Sequence, residues 1–129
     1  MPNKPRIYWT KFVYSLTPVL DCLESSLEEV HQSLENQGIP VDKDILFAAW
    51  VIMRLERDLF LNLEVNALRG QVYQAASVIP PQFLHNHQDI AQVLLRQIEP
   101  SLLVGDTIPY TERLCRVEIY SHTLTLHFL

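Results

Sequence analysis

The architecture depends on the residues DKDILFAAWVIM at positions 42–53. Every residue from Ile45 to Met53 is apolar, and a helix that is apolar on all sides lies at the centre of a protein. Asp42 precedes this run and suits the N-cap position of a helix. The pattern predicts a buried central helix that continues to about residue 69. Because this is long for a helix in a globular protein, a bend or break is expected near residues 62–70.

Helical patterns also flank this central segment. Thr17-Pro18 is a good helix start, because threonine caps and proline suits the first helical position. An apolar stripe follows it as far as Gly38, which ends the helix. Residues 71–79 are consistent with a short helix. Asn86 is expected to cap a third main helix, which Glu99-Pro100 closes.

The C-terminal segment changes its period from helical to alternating. Two sets of apolar residues alternate with polar ones: Cys115, Val117 and Ile119, then Leu124, Leu126 and Phe128. This pattern predicts two strands joined at Ser121-His122.

An isolated hairpin is only marginally stable, so a third strand is needed. Residues 6–14 and the run Leu102-Leu103-Val104 are the two candidates for it. The composition of residues 6–16 favours a strand, whereas the spacing of Trp9, Val13 and Leu16 fits a helix. The predicted fold is α+β, with about three helices packed on a small antiparallel sheet that includes the C-terminal hairpin.

Length and charge restrict the class of protein. The 129 residues suit one domain, residues 1–129, with a formal net charge of −5. The lysines and arginines are scattered, which disfavours binding to nucleic acid or to an anionic membrane surface. Only three glycines occur, so glycine-rich phosphate loops are excluded. No signal peptide or membrane span is predicted, and Cys22 and Cys115 fit no zinc or redox motif. We expect a cytoplasmic protein without a cofactor.

The closest approach to a metal motif is the segment that contains His85, His87 and Asp89. Two imidazoles and a carboxylate within five residues are able to supply three metal ligands. The alternative interpretation, which we favour, is a polar loop in which Asn86 caps the next helix.

Three groups of residues are candidates for binding a partner protein. They are the aromatic cluster Tyr8, Trp9, Phe12 and Tyr14, the charged pair Arg54 and Arg57, and the terminal strand residues Leu124, Leu126 and Phe128. Aromatic residues anchor interfaces but also fill cores. Arg54 is able to recognise a carboxylate or to pair locally with Asp58. The terminal strand is expected to be a sheet edge open to pairing.

Convincing catalytic and phosphate-binding motifs are absent from the sequence. We therefore expect a non-enzymatic protein-binding factor, such as an assembly chaperone or adaptor of a larger intracellular complex, which is also able to form a homodimer. The alternative is a small metal- or ligand-binding enzyme that uses the 85–89 loop or a pocket near Arg54 and Arg57.

Overall fold

The apolar run at residues 45–53 lies inside the central helix of a computed structural model that describes residues 10–65, 69–102 and 114–128. These ranges contain five helices and four strands. In chain order they are β1 (Thr10–Ser15), α1 (Thr17–Asn36), α2 (Lys43–Leu59), β2 (Asn62–Val65), α3 (Arg69–Val78), α4 (Pro81–His85), α5 (Gln88–Leu102), β3 (Leu114–Tyr120) and β4 (Thr123–Phe128).

The four strands form one sheet in the order β1-β4-β3-β2. β4 pairs antiparallel with both β1 and β3, whereas β2 pairs parallel with β3. The α+β class and the C-terminal hairpin are therefore confirmed. The sheet is mixed instead of purely antiparallel, and the described residues contain more helices than the three predicted.

Helix α2 forms the centre of the core. Asp42 is its N-cap residue, as predicted, and every residue from Leu46 to Ile52 is buried. Helices α1, α3 and α5 all contact α2. The apolar stripe of α1 faces this core through Val19, Leu23 and Leu27.

The predicted extent of α2 was wrong beyond residue 59. Phe60 adopts a left-handed backbone conformation with φ of 50°, which ends the helix. The next residues form β2, because Leu61, Leu63 and Val65 alternate with polar residues and fit the period of a strand. Leu61 and Val65 are both buried.

The ambiguity at the N-terminus is settled in favour of a strand for Thr10–Ser15. Residues 6–9 lie outside the described part of the chain. The other proposed third strand is wrong at Leu102, which is the last residue of α5, and residues 103–104 lie outside the described ranges. Pro100 does not close α5 but lies within its last turn.

The expectation that the terminal strand is a sheet edge was wrong. β4 lies between β1 and β3, and hydrogen-bonds to a strand on each side. The side chains of Leu124, Leu126 and Phe128 are fully buried in the core. They are therefore not available on a free surface of the folded chain.

The hairpin turn between β3 and β4 has an unusual composition for its geometry. Ser121 and His122 both have positive φ, at 47° and 64°. Two-residue hairpin turns of this kind usually contain asparagine or glycine, because other residues are strained there. The backbone N–H of Leu16 donates to the carbonyl of His122 at 2.7 Å, and this bond ties the turn to the start of α1.

Candidate functional site

Arg54 is the most unusual polar residue in the core. It lies in the second half of α2 with 3% of its surface exposed, and it is the sole buried charged or polar residue in the described ranges. Arginine is almost never fully buried unless it is paired. Its burial results from the packing of α2 against neighbouring helices.

The partners of Arg54 are few for a buried guanidinium. Its Nη1 lies 3.5 Å from Oδ2 of Asp58, one helical turn further along α2. Its Nε and Nη2 are buried without a hydrogen-bond partner, and so is Nε1 of Trp50. The Arg54 guanidinium lies over the Trp50 ring, 5.7 Å from the ring centroid. Three buried nitrogen atoms that carry donors therefore lack an acceptor, which is normally unfavourable.

A cavity of about 340 Å³ opens beside this guanidinium, between α2 and α5. We call it the Arg54 cleft. It is lined by Arg54, Arg57, Asp58, Gln88, Ala91, Gln92 and Leu95. The α5 residues recur at helical spacing, so they present one face of that helix to the cleft. The first turn of α5 also carries backbone N–H groups without an intrahelical acceptor, as at the start of any helix.

The lining of the Arg54 cleft carries a net positive charge. Burial lowers the pKa of Arg54 and the charge of Asp58 partly offsets this, although an arginine remains protonated in a protein. Two arginines and one aspartate leave the lining with an excess of one positive charge. Burial, and then the charge of Arg54, lower the pKa of His87. The cleft is therefore suited to an anionic group and not to a cation.

The structure does not assemble the predicted metal ligands into a site. His85 ends α4 and is exposed, whereas Asp89 is exposed in the first turn of α5. The His87 ring packs edge-on against Phe83, with 5.1 Å between centroids. Among residues 10–65, 69–102 and 114–128, no group of three or more histidine, cysteine, aspartate or glutamate residues is arranged to hold a metal ion.

Asn86 does not cap the third main helix as predicted. It follows the last residue of α4, and its backbone N–H donates to the carbonyl of Gln82 at 2.9 Å. Helix α5 begins two residues later, where the carbonyl of His87 accepts from the N–H of Ala91.

Two of the four residues of the aromatic cluster lie in the described part of the chain. Phe12 and Tyr14 are half-buried and pack against the core. The Phe12 ring contacts Phe128 edge-on at 6.0 Å, and the Tyr14 hydroxyl shares a hydrogen bond with Ser101. Tyr8 and Trp9 lie outside the described residues. Phe12 and Tyr14 therefore contribute to the core.

Two other cavities lack the chemistry of the Arg54 cleft. One, of about 330 Å³, lies between the α1–α2 connection and α3, where Ile39, Val41 and Val78 are among its lining residues. The other, of about 550 Å³, lies beside the hairpin turn and is lined in part by Asp44, Ser121 and His122. These three residue types occur in catalytic triads, but no hydrogen bond joins these side chains, all of which lie in the described ranges.

The sequence pointed to Arg54 and Arg57, and to Asp58 as a local partner of Arg54, but it did not reveal the residues that α5 contributes to the cleft. Trp50, Arg54 and Asp58 recur every four residues on α2, so they share a face of the helix and this grouping was available from spacing alone. The contribution of Gln88 and Gln92 depends on how α5 packs against α2, which no local pattern encodes.

Comparisons with protein-family models, with curated proteins and with solved structures find no match to this chain. In the described ranges, none of the helices has the length and apolar content needed to cross a bilayer.

Proposed function

We propose that this protein is a non-enzymatic protein-binding factor whose Arg54 cleft binds a carboxylate side chain of a partner protein. One observation carries the proposal: the Arg54 guanidinium is 3% exposed, two of its nitrogen atoms lack an acceptor, and it lines an open cavity. A partner's aspartate or glutamate supplies the missing acceptor. Arginine is enriched among the residues that dominate binding energy at protein interfaces.

Binding is favoured over catalysis by the residues that surround the cleft. Among the described residues, its lining contains no serine, cysteine, histidine or tyrosine, which are common nucleophiles and proton-transfer groups. Its one carboxylate, Asp58, is paired with Arg54. A guanidinium cannot act as a general base because it stays protonated. The lining is suited to holding an anion by charge and hydrogen bonds.

The proposed setting is the cytoplasm, as part of a larger complex. Cys22 is exposed and Cys115 is buried, and both are free thiols, which is the usual state of cysteine in a reducing compartment.

Self-association through β1 is a second way in which we propose that this protein binds another chain. β1 pairs with β4 along one side, and no other described strand lies beyond it. Val13 on this strand is 57% exposed, and an edge strand is able to pair with another chain. A solution mass of two chains by light scattering supports a homodimer, and a mass of one chain contradicts it.

The binding proposal is tested with an array of acidic peptides, each beside a copy in which glutamine and asparagine replace the acids. We expect the wild-type protein to bind a subset of the acidic peptides and none of the neutral copies. Arg54→Met should lose these signals. Equal binding to acidic and neutral copies, or signals that persist in Arg54→Met, would contradict the proposal. A free dicarboxylic acid that competes as strongly as the best peptide would indicate a small-molecule ligand instead.

A further inference from the structure

We infer that Asp58 is an internal competitor of the ligand, and that the incoming carboxylate displaces it from the Arg54 guanidinium. This inference rests on the proposed function and identifies how the Arg54 cleft selects its ligand.

Two nitrogen atoms of the Arg54 guanidinium lack a hydrogen-bond acceptor. Nε and Nη2 lie on the same side of a guanidinium, and both lack an acceptor in Arg54. A planar carboxylate matches that side with two parallel hydrogen bonds. Both nitrogen atoms are buried, so the guanidinium turns toward the cleft to present this edge to a ligand, and in doing so it leaves Asp58. The group that binds there has two acceptor oxygen atoms.

The contact between Asp58 and Arg54 is weak. Its carboxylate approaches one nitrogen of Arg54, at 3.5 Å, and leaves the Nε side unused. A strong pair between arginine and a carboxylate has two shorter bonds. The Asp58 side chain is also 31% exposed, so water is available to solvate it after displacement.

The net charge of the cleft lining distinguishes a carboxylate ligand from a phosphate ligand. With Asp58 present, the lining of the cleft carries one excess positive charge. That charge balances a carboxylate, whereas a phosphomonoester carries close to two negative charges at neutral pH. We therefore assign the site to a carboxylate, and a phosphorylated ligand is an alternative that the test separates.

The test uses a five-residue alanine peptide with one central glutamate, acetylated and amidated so that this side chain is its only charge. The readout is the indole N–H resonance of Trp50 in the ¹⁵N-labelled protein, assigned with Trp9→Phe. We expect the glutamate peptide to shift this resonance and the glutamine peptide not to shift it. Sodium acetate should shift it in the same direction, since acetate carries the same group.

Asp58→Asn tests the competitor role. Removing the internal carboxylate should tighten binding of the glutamate peptide by about two- to fivefold, the range expected for a partly exposed ion pair. Glu56→Gln is the matched control, because it removes the same charge from the same helix but not from the cleft lining. The control should leave the affinity unchanged.

The outcomes separate this inference from the proposed function. If Asp58→Asn binds no more tightly than the wild type or Glu56→Gln, the competitor role is wrong while Arg54-dependent peptide binding stands. If a phosphoserine peptide binds more tightly than the glutamate peptide, the assignment to a carboxylate is wrong. If neither the glutamate peptide nor acetate moves the Trp50 resonance, the inference is overturned, and the peptide array decides the proposed function independently.

Discussion

The guanidinium of Arg54 lies over the indole ring of Trp50, 5.7 Å from the ring centroid and one helical turn along α2. The aromatic face stabilises the cation without using any of its hydrogen-bond donors. This relationship explains how a buried arginine keeps unsatisfied nitrogen atoms.

Replacing Arg54 by methionine should separate stability from binding. Methionine fills a similar volume and removes a buried charge two of whose nitrogen atoms lack an acceptor, and the Asp58 carboxylate that remains is partly exposed to water, so it is not left as an unpaired buried charge. We therefore expect the free energy of unfolding of Arg54→Met, measured by urea denaturation, to equal or exceed that of the wild type. Arg57→Met, which alters an exposed residue, should change it by less than about 0.5 kcal/mol. A marked loss of stability in Arg54→Met would mean that Arg54 has a structural role.

His87 should make the stability of the protein depend on pH. Burial, followed by the charge of Arg54, lowers its pKa in the folded chain, below the ordinary value of about 6.5. Above that pH, the histidine is neutral in both the folded and the unfolded state. As the pH falls below it, the unfolded chain takes up the proton first, so the free energy of unfolding decreases.

Urea denaturation between about pH 5 and 7.5 measures this dependence. We expect His87→Gln to remove part of the decrease. His85→Gln, which alters an exposed histidine two residues away, is the control and should retain the wild-type profile. Identical profiles for His87→Gln and the wild type would show that His87 does not contribute.

Much of the core could be predicted from sequence, because period and burial are local signals. The apolar run at residues 45–53 predicted the buried helix, and alternation at Cys115, Val117 and Ile119 predicted β3. The order of strands is not a local signal. Nothing in the composition of Leu124 to Phe128 distinguishes an inner strand from an edge, and the pairing of β1 with β4 decided it.

The candidate site was predictable to a similar, partial extent. Arg54 and Asp58 are four residues apart on α2, and helical geometry predicts that such side chains lie close together. Burial of Arg54 was not predictable, since the same pattern fits a solvated ion pair. The packing of α5 against α2 decided between these interpretations.

The burial of β4 gives a prediction about stability. Leu126 is fully buried and lies between Phe12 and Val117 in the register of the sheet. Leu126→Ala should lower the free energy of unfolding by about 2–5 kcal/mol, as expected for a large-to-small change in a core. Thr125→Ala, on the opposite face of the same strand, should cost less than about 1 kcal/mol. Equal costs would contradict the burial of Leu126 in the core.

The hairpin turn offers a route to a more stable protein. Ser121 is exposed and has a φ of 47°, a conformation that costs a residue with a side chain about 1–2 kcal/mol. Glycine adopts it freely, so Ser121→Gly should raise the free energy of unfolding by about 1 kcal/mol. Ser25→Gly in the middle of α1 should lower it, because glycine is unfavourable inside a helix. Thermal unfolding of both variants checks whether the two signs are opposite.

Calorimetric titration of the best acidic peptide from the array tests the proposal that Arg54 binds the carboxylate of a partner. Removing one member of a buried charge pair typically costs 2 kcal/mol or more, so we expect Arg54→Met to bind about 30-fold or more weakly than the wild type. The variant must retain its fold, which the denaturation measurement establishes. An Arg54→Met protein that is folded and binds this peptide with wild-type affinity would contradict the claim.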